Sequence, residues 1–574
     1  MQTLTFLFLS LFTLRVAHAL PLPFPAKTIS PNKFNLRASS NFTVSPTSIS
    51  TSTSASSSPS PSPPSSNRNK YVIAHHMVGN TFPYTSQDWL NDIKLAHASG
   101  IDGFALNVGS DPWQPDRVAD AYATAQNSSL NFKMFLSLDM SSLPCASASD
   151  AAALRALVTP YLSHPNQFRY SRSSSTQAAA FVSTFSGESC KFGQSSVVEG
   201  WRTQFAQHPD LQGKMTFVPS FFVAPNQLSQ FTGVIDGTFN WNGGWPVELT
   251  TASTGSSSTT LSSSLKIGGI EQALSNFIGS PESDRQFLQA FSTGSGNAKS
   301  TNTGSIYVAG VSPIFYTHFG KDSFNKNFLY VADQHLFSKR WESLISAQAP
   351  LGSDTDPTNG TLTQSPIADQ VDIVEIISWN DYGESHYVGP IEGALPTGSE
   401  AWTDGMNHTA WLSLTSYYAE AFKTGSYPTL SSDEERIIMW SRTHPASANA
   451  TSDTVGPVPG SELVLDAIWA TALLSEPANV TLQIVPSSNS TSATPLSSQT
   501  FSVPAGLSKL TIPISVPDSD ANADAGVSMR GIVERGGVNV IELDGGSQGF
   551  KFIKTPEQFN YNAWVGCAGE GCVI

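Results

Sequence analysis

Charge is scarce in this sequence. Asp, Glu, Lys and Arg make up only 13% of its 574 residues, against roughly 25% in an average soluble protein. The basic residues are the scarcer sign, 30 Lys and Arg against 45 Asp and Glu, for a net charge of −15. Phosphate neutralisation needs clustered Lys and Arg, so a nucleic-acid binder is disfavoured. The same deficit argues against anionic membrane surfaces and acidic polysaccharides as partners. Cysteine is rare as well, with four in the chain, too few ligands to favour a zinc site. Beyond the N-terminus no apolar run is long enough to span a bilayer. Core material, by contrast, is ample: 39% of residues are hydrophobic and 10% aromatic, including 12 Trp and 33 Phe. A wholly disordered chain is therefore excluded. Many aromatics with few charges suit a neutral, flat-faced ligand such as a sugar.

The N-terminal segment MQTLTFLFLSLFTLRVAHA carries an apolar run and ends in an A-x-A pattern at Ala17-His18-Ala19. It reads as a secretory signal peptide over residues 1–19 and predicts a secreted protein. Residues 20–70 are dominated by Ser, Thr and Pro, with SPTSISTSTSASSSPSPSPPSS as the densest stretch. Such a segment cannot bury enough apolar area to offset its ordering entropy, and it reads as a disordered, O-glycosylated stalk. Seven N-x-S/T sequons occur, at Asn41, Asn127, Asn359, Asn407, Asn449, Asn479 and Asn489. In an oxidising compartment the four cysteines are expected as two disulfides, Cys145 with Cys190 and Cys567 with Cys572.

From Tyr71 short apolar runs alternate with helix-like stretches. Eight runs are present: 71–76, 101–107, 132–139, 180–185, 214–220, 234–241, 305–312 and 372–381. Helical stretches are expected over Ser86–Ser99, Pro115–Ala125, Ser149–Leu162 and Glu199–His208, the first capped by Thr85 or Ser86 and stopped by Gly100. Near-continuous apolar strands alternating with helices predict a parallel sheet covered by helices, and eight repeats favour a (β/α)8 barrel over 71–428. Two low-complexity insertions, at 250–264 and around 292–305, read as surface loops. After Pro428 the pattern changes to short strands separated by turn residues, which predicts an accessory β-sandwich over 429–574.

On such a barrel, chemistry gathers at the C-terminal strand ends. Those ends carry His75-His76, Asn107, Asp139, Glu188, Ser220, Trp241, Ser312 and the run Asn380 to Glu384. The densest group is SWNDYGESHY at 378–387. Asp381 and Glu384 beside Trp379 and Tyr382 suit glycoside hydrolysis, in which one carboxyl protonates the leaving oxygen and another activates water or attacks. His75-His76 makes a poor metal site, because adjacent strand residues face opposite sides, and no metal is expected. GGSQG at 545–549 fits an esterase pattern but falls in an expected hairpin, where a nucleophile elbow has no place.

AHHMVGNTFPYTSQDWLNDI, GIDGFALNVGSDPWQ, FLSLDM, FVSTFSGE and SWNDYGESHYVGPIEGALP, in that order, resemble glycoside hydrolase family 71, the fungal α-1,3-glucanases or mutanases. The resemblance runs from Tyr71 to about Tyr427. It implies a (β/α)8 barrel followed by a β-sandwich, and hydrolysis of α-1,3-glucan with inversion and without a cofactor. Asp381, Glu384 and Asp139 match its essential acids. Our expectation makes Glu384 the general acid, Asp381 the base, and Asp139 a residue that orients water or binds a hydroxyl. Where the family has W-x-x-W-P, this chain reads NWNGGWP, with Trp241 and Trp245 as its tryptophans. Expected sugar contacts are His75, Asn107, Trp113, Glu188, Trp241, His318, Trp379, Asn380, Tyr382 and His386. A secreted monomer is expected, its partner α-1,3-glucan. The rival readings are a wall protein that binds glucan without cleaving it and a hydrolase of another α-glucan linkage.

Overall fold

The computed structural model describes residues 69–573 except 173–176, 248, 250–273, 275–276, 294–304, 346–366, 488–493 and 516–525. The expected signal peptide, nearly all of the stalk, the 250–264 insertion, most of the 292–305 insertion and the sequons at Asn41, Asn359 and Asn489 lie outside the described residues.

Each of the eight apolar runs contains a strand: β1 Tyr71–Met77, β2 Gly103–Val108, β3 Lys133–Asp139, β4 Ala179–Phe185, β5 Met215–Phe217, β6 Gly237–Asn240, β7 Ile306–Val311 and β8 Ile373–Ile376. β2, β6, β7 and β8 are buried along their whole length, which is why these runs lack the polar alternation of a half-exposed strand. All pairings among them are parallel, β1 with β2 and β8, β3 with β2 and β4, β5 with β4, and β7 with β6 and β8. Between β5 and β6 the Asp236 N–H donates to the Phe217 carbonyl (2.8 Å) and the Phe239 N–H to the Pro219 carbonyl (3.0 Å). The Asp236 carboxylate in turn accepts the Phe217 N–H at 2.7 Å. The result is a mixed α/β fold on a curled parallel sheet.

Two strands stop several residues before their apolar runs end. β5 stops before Pro219, which has no N–H for a ladder, and β8 stops at Ile376, where the chain turns into the 378–387 loop. Helix α1 (Ser86–Ala98) starts on a capping box between Thr85 and Asp88 and is followed by Gly100 at φ +80°, a left-handed position that costs glycine nothing. α2 (Gln114–Asn127) has a proline in its first turn, and α3 (Ala148–Val158) starts on a Ser147–Asp150 box. The stretch expected to be helical over 199–208 is a short α-turn, Val197–Gly200, running into a π-helical turn, Trp201–Ala206.

Beyond the parallel sheet come two four-stranded antiparallel sheets. One has the order β13 (Gly506–Pro513), β10 (Ala467–Leu474), β9 (Arg436–Arg442), β16 (Ala563–Ala568). The other has the order β12 (Ser497–Val503), β11 (Ala478–Pro486), β14 (Val527–Arg535), β15 (Val538–Asp544). The short apolar runs after Pro428, from ELVLDAIWATALL to VNVIELDGG, coincide with β10 to β15 and leave out β9 and β16. Ile437, Ile468 and Leu510 from the first sheet share one buried cluster with Leu482, Met529 and Val533 from the second. Disulfides join Cys145 to Cys190, between the loops after β3 and β4, and Cys567 to Cys572 near the C-terminus. No helix among the described residues is long and apolar enough to cross a membrane.

Candidate active site

The 378–387 loop is closed on itself and tied to β1. The Trp379 N–H donates to the His75 carbonyl (2.7 Å), while Val388 and Gly389 N–H groups return to the Ser378 and Trp379 carbonyls (3.0 and 2.8 Å). Asn380 locks the same junction: its Oδ1 accepts the Met77 N–H at 2.7 Å and its Nδ2 donates to the Met77 carbonyl at 3.2 Å. Within this frame Asp381 precedes a 3-10 turn, Tyr382–Glu384, and Ser385 takes a left-handed φ of +62°. That reversal brings His386 back beside both acids.

His386 Nε2 lies 3.1 Å from Glu384 Oε2 and 3.6 Å from Asp381 Oδ2, and its Nδ1 is 3.2 Å from Ser378 Oγ. The Ser378 hydroxyl also accepts the Asp381 N–H at 2.8 Å. The other oxygen of Glu384, Oε1, receives Lys326 Nζ at 2.8 Å. One oxygen of Asp381, one of Glu384 and a His386 ring nitrogen all lie within 4.8 Å of one another. The cation facing that set is the Lys326 ammonium.

Asp139, at the end of β3, accepts the Ser141 N–H (3.0 Å) and hydroxyl (2.6 Å) through Oδ1. It lies within the electrostatic reach of Lys326, as do Asp381 and Glu384. Three acids from two strand ends thus lie in the field of one ammonium, Glu384 in direct contact with it.

Their ionisation differs. Burial raises the Asp381 carboxyl, and the Glu384 charge adds to that, against the lowering effect of His386 and Lys326. Burial would raise Glu384 too, but Lys326 and His386 outweigh it and hold this carboxyl well below its usual range. Burial also raises Asp139, opposed by the Ser141 hydrogen bonds. For His386 the two carboxylates overcome burial and stabilise the imidazolium. Of the three acids, Glu384 therefore gives up its proton most readily, and Asp381 and Asp139 hold theirs longer.

Of the expected sugar contacts, His75 and Trp241 pack beside the 378–387 loop. His75 is buried, its Nδ1 2.7 Å from Glu375 Oε1; its Nε2 is buried without a hydrogen-bond partner. The Trp241 ring packs edge-on to His75 (4.7 Å) and Phe185 (4.8 Å), with His386 at 6.1 Å. Trp245 also faces His386, at 5.5 Å. Asn107 is buried at the end of β2, in register with Ser137. Glu188 accepts the Ser186 hydroxyl (3.1 Å) and the Phe222 N–H (3.2 Å). Trp113 packs edge-on to the exposed Phe82 at 5.2 Å, at the start of α2.

Four others are committed to holding the fold. His318 uses both ring nitrogens, on Asn327 (2.8 Å) and Asp453 (2.9 Å). Asn380 spends its amide on Met77. The Tyr382 hydroxyl donates towards the Pro390 and Glu392 carbonyls and accepts the Glu392 N–H. Trp379 is fully buried against Phe104. The scaffold thus holds the polar groups of His318, Asn380 and Tyr382, while the Trp379 indole N–H is buried without a hydrogen-bond partner. Lys326 and Glu375 escaped the sequence reading, each standing among neighbours with no diagnostic spacing, and Ser378 was read only as the first residue of SWNDYGESHY.

A family model described as glycosyl hydrolase family 71 matches residues 68–572. The glucan endo-1,3-alpha-glucosidase agn1 of Schizosaccharomyces pombe is 34% identical over 503 residues, 87% of this chain and 95% of its own length. A mutanase of Penicillium rubens is 29% identical over 514 residues, 88% of this chain and 91% of its own. Among solved structures, a GH99 endo-alpha-mannosidase from Bacteroides thetaiotaomicron superposes with a TM-score of 0.38 at 9% identity, covering 62% of this chain and 99% of that one.

Proposed function

The chain belongs to glycosyl hydrolase family 71, and we propose that it hydrolyses the α-1,3-glucosidic bonds of α-1,3-glucan outside the cell. The observation that carries this reading is the placement of Asp381, Glu384 and Asp139 in the field of Lys326. It occurs in a chain whose relatives, matched over most of its length, bear the names of α-1,3-glucanases. Closure of the eight strands into a (β/α)8 barrel over 71–428 belongs to the same proposal, as does a β-sandwich over 429–574. So do secretion through residues 1–19 and a monomeric state.

The charge distribution supports roles opposite to those expected from the sequence. Asp381, raised by burial, is the better proton donor, and Glu384, held ionised by Lys326 and His386, the better base. Asp139 orients the sugar or the water. His75, through its unpartnered Nε2, and Trp241 contact the glucosyl ring beside the bond to be cleaved, with Asn107, Trp113 and Glu188 further along the cleft.

Inversion places a water between the acid and the base, which takes carboxyl groups about 6.5–9.5 Å apart. The nearest oxygens of Asp381 and Glu384 are within 4.8 Å of each other. Inversion therefore requires that an entering glucosyl residue draw the two apart. Reducing ends released from α-1,3-glucan, and none from α-1,4- or α-1,6-glucan, test the substrate assignment. A preference for either other linkage overturns it.

A further inference from the structure

Lys326 does not belong to the barrel strands. It sits at the edge of a two-stranded ribbon after β7, formed by Phe315–His318 and Asn327–Tyr330, and the Phe319 N–H closes the ribbon onto the Lys326 carbonyl at 2.7 Å. Antiparallel register pairs His318 with Asn327, Tyr316 with Leu329, and Phe315 with Tyr330. Because side chains alternate along a strand, the ribbon has two faces with different partners.

One face docks on the C-terminal part of the chain. His318 Nε2 lies 2.9 Å from Asp453 Oδ2, Asn327 Nδ2 donates to the Pro457 carbonyl (3.0 Å), and the Tyr316 hydroxyl donates to the Phe559 carbonyl (2.8 Å). Asp453 is itself fixed by backbone N–H groups of Val455, Gly456 and Phe559. The opposite face looks into the active site. Phe315 packs against His386 at 5.6 Å and Tyr330 at 4.7 Å, and Lys326 reaches Glu384.

We propose that Lys326 is a positioning residue, whose ammonium, 2.8 Å from Oε1, orients Glu384, and that the C-terminal part of the chain, through Asp453, holds the ribbon that presents it. The proposal rests on the reading of Asp381 and Glu384 as the reacting acids. Among the described residues, the titratable groups facing Glu384 are Lys326 and Tyr330 from the ribbon and Asp381 and His386 from its own loop; Asp139 faces the same ammonium. Only Lys326 and His386 oppose the effect of burial on Glu384, so removing Lys326 leaves one of two counter-charges.

The experiment is the pH profile of kcat/KM on soluble α-1,3-linked oligosaccharides. A base acts in its ionised form, so activity rises as pH climbs through its pKa. Loss of an adjacent cation raises that pKa, by about one unit or more. Lys326→Met and Lys326→Gln should therefore move the acid limb to higher pH by about that amount, and Lys326→Arg should restore it. Asp453→Asn, which loosens the ribbon without touching the active site, should move the limb in the same direction by less. An acid limb unmoved in both folded Lys326 variants overturns the role of Lys326, and one unmoved in Asp453→Asn overturns the anchorage. Glu384→Gln serves as the separate control. If it keeps its activity, the assignment of the acids has failed, whatever Lys326 does.

Discussion

Asp381 holds the turn that carries Glu384: its Oδ1 accepts the Glu384 backbone N–H at 3.3 Å. One proposed reacting acid thus fixes the position of the other, and asparagine at 381 keeps an oxygen that can do the same. Asp381→Asn and Glu384→Gln should each lower kcat by about 10²–10⁴-fold, the usual worth of a positioned acid or base. Thermal unfolding should stay close to that of the parent. A substrate with a leaving group that needs no protonation, such as α-glucosyl fluoride, separates the roles. Recovery of turnover in Asp381→Asn makes Asp381 the donor, and recovery in Glu384→Gln restores the assignment expected from the sequence.

Stability at acid pH should depend on His444. Its Nε2 accepts the Asn560 N–H at 2.9 Å while Nδ1 donates to the Pro445 carbonyl at 3.0 Å, so the fold holds the neutral ring. Burial pushes this imidazole down to about 4. The unfolded chain takes up a proton near pH 6.5 that the folded chain refuses until about pH 4. The contribution is therefore complete above pH 6.5 and lost as pH falls through that window. The loss is about 1.4 kcal/mol per unit, or roughly 3 kcal/mol in all. Urea midpoints at pH 7, 5.5 and 4.5 should fall more steeply for the parent than for His444→Gln; parallel slopes would contradict this.

A buried ion pair joins the parallel sheet's loops to the antiparallel sheets. Arg442 Nη1, on β9, lies 2.5 Å from Asp333 Oδ1, and Asp333 Oδ2 accepts the Leu465 N–H. Arg442→Met leaves the Asp333 charge buried without its counter-ion and should cost about 3–5 kcal/mol. Adding Asp333→Asn removes that charge and should recover part of the loss in a denaturant titration. A double variant as unstable as Arg442→Met would show that packing, not charge, dominates there.

The parallel strands were legible because burial on both faces leaves an unbroken apolar run, and Thr85 and Gly100 marked the ends of α1. β9 was not, because RIIMWSR follows directly on DEE and lacks the turn residues that set off its neighbours. Asp381 and Glu384 stood out in WNDYGES because glycoside hydrolysis calls for two carboxyls, and the loop places both beside His386. Trp379, Asn380 and Tyr382 adjoin them in sequence, but in a tight loop consecutive side chains point in different directions, and the polar groups of Asn380 and Tyr382 bond to the scaffold. Lys326 carried no signal at all. In SFNKNF it is one polar residue among several, and only the ribbon register brings it to Glu384. His318 shows the converse: it ends a strand as a site residue should, but on the ribbon face that docks against Asp453.

Proton NMR of the first products released from reduced or carboxymethylated α-1,3-glucan tests the central claim most directly. Hydrolysis with inversion should give β-anomer signals before mutarotation sets in, and Asp381→Asn should abolish them. Initial α-anomer would contradict inversion and point to a pair that keeps its resting spacing. Glucan bound with no reducing ends released would contradict hydrolysis itself.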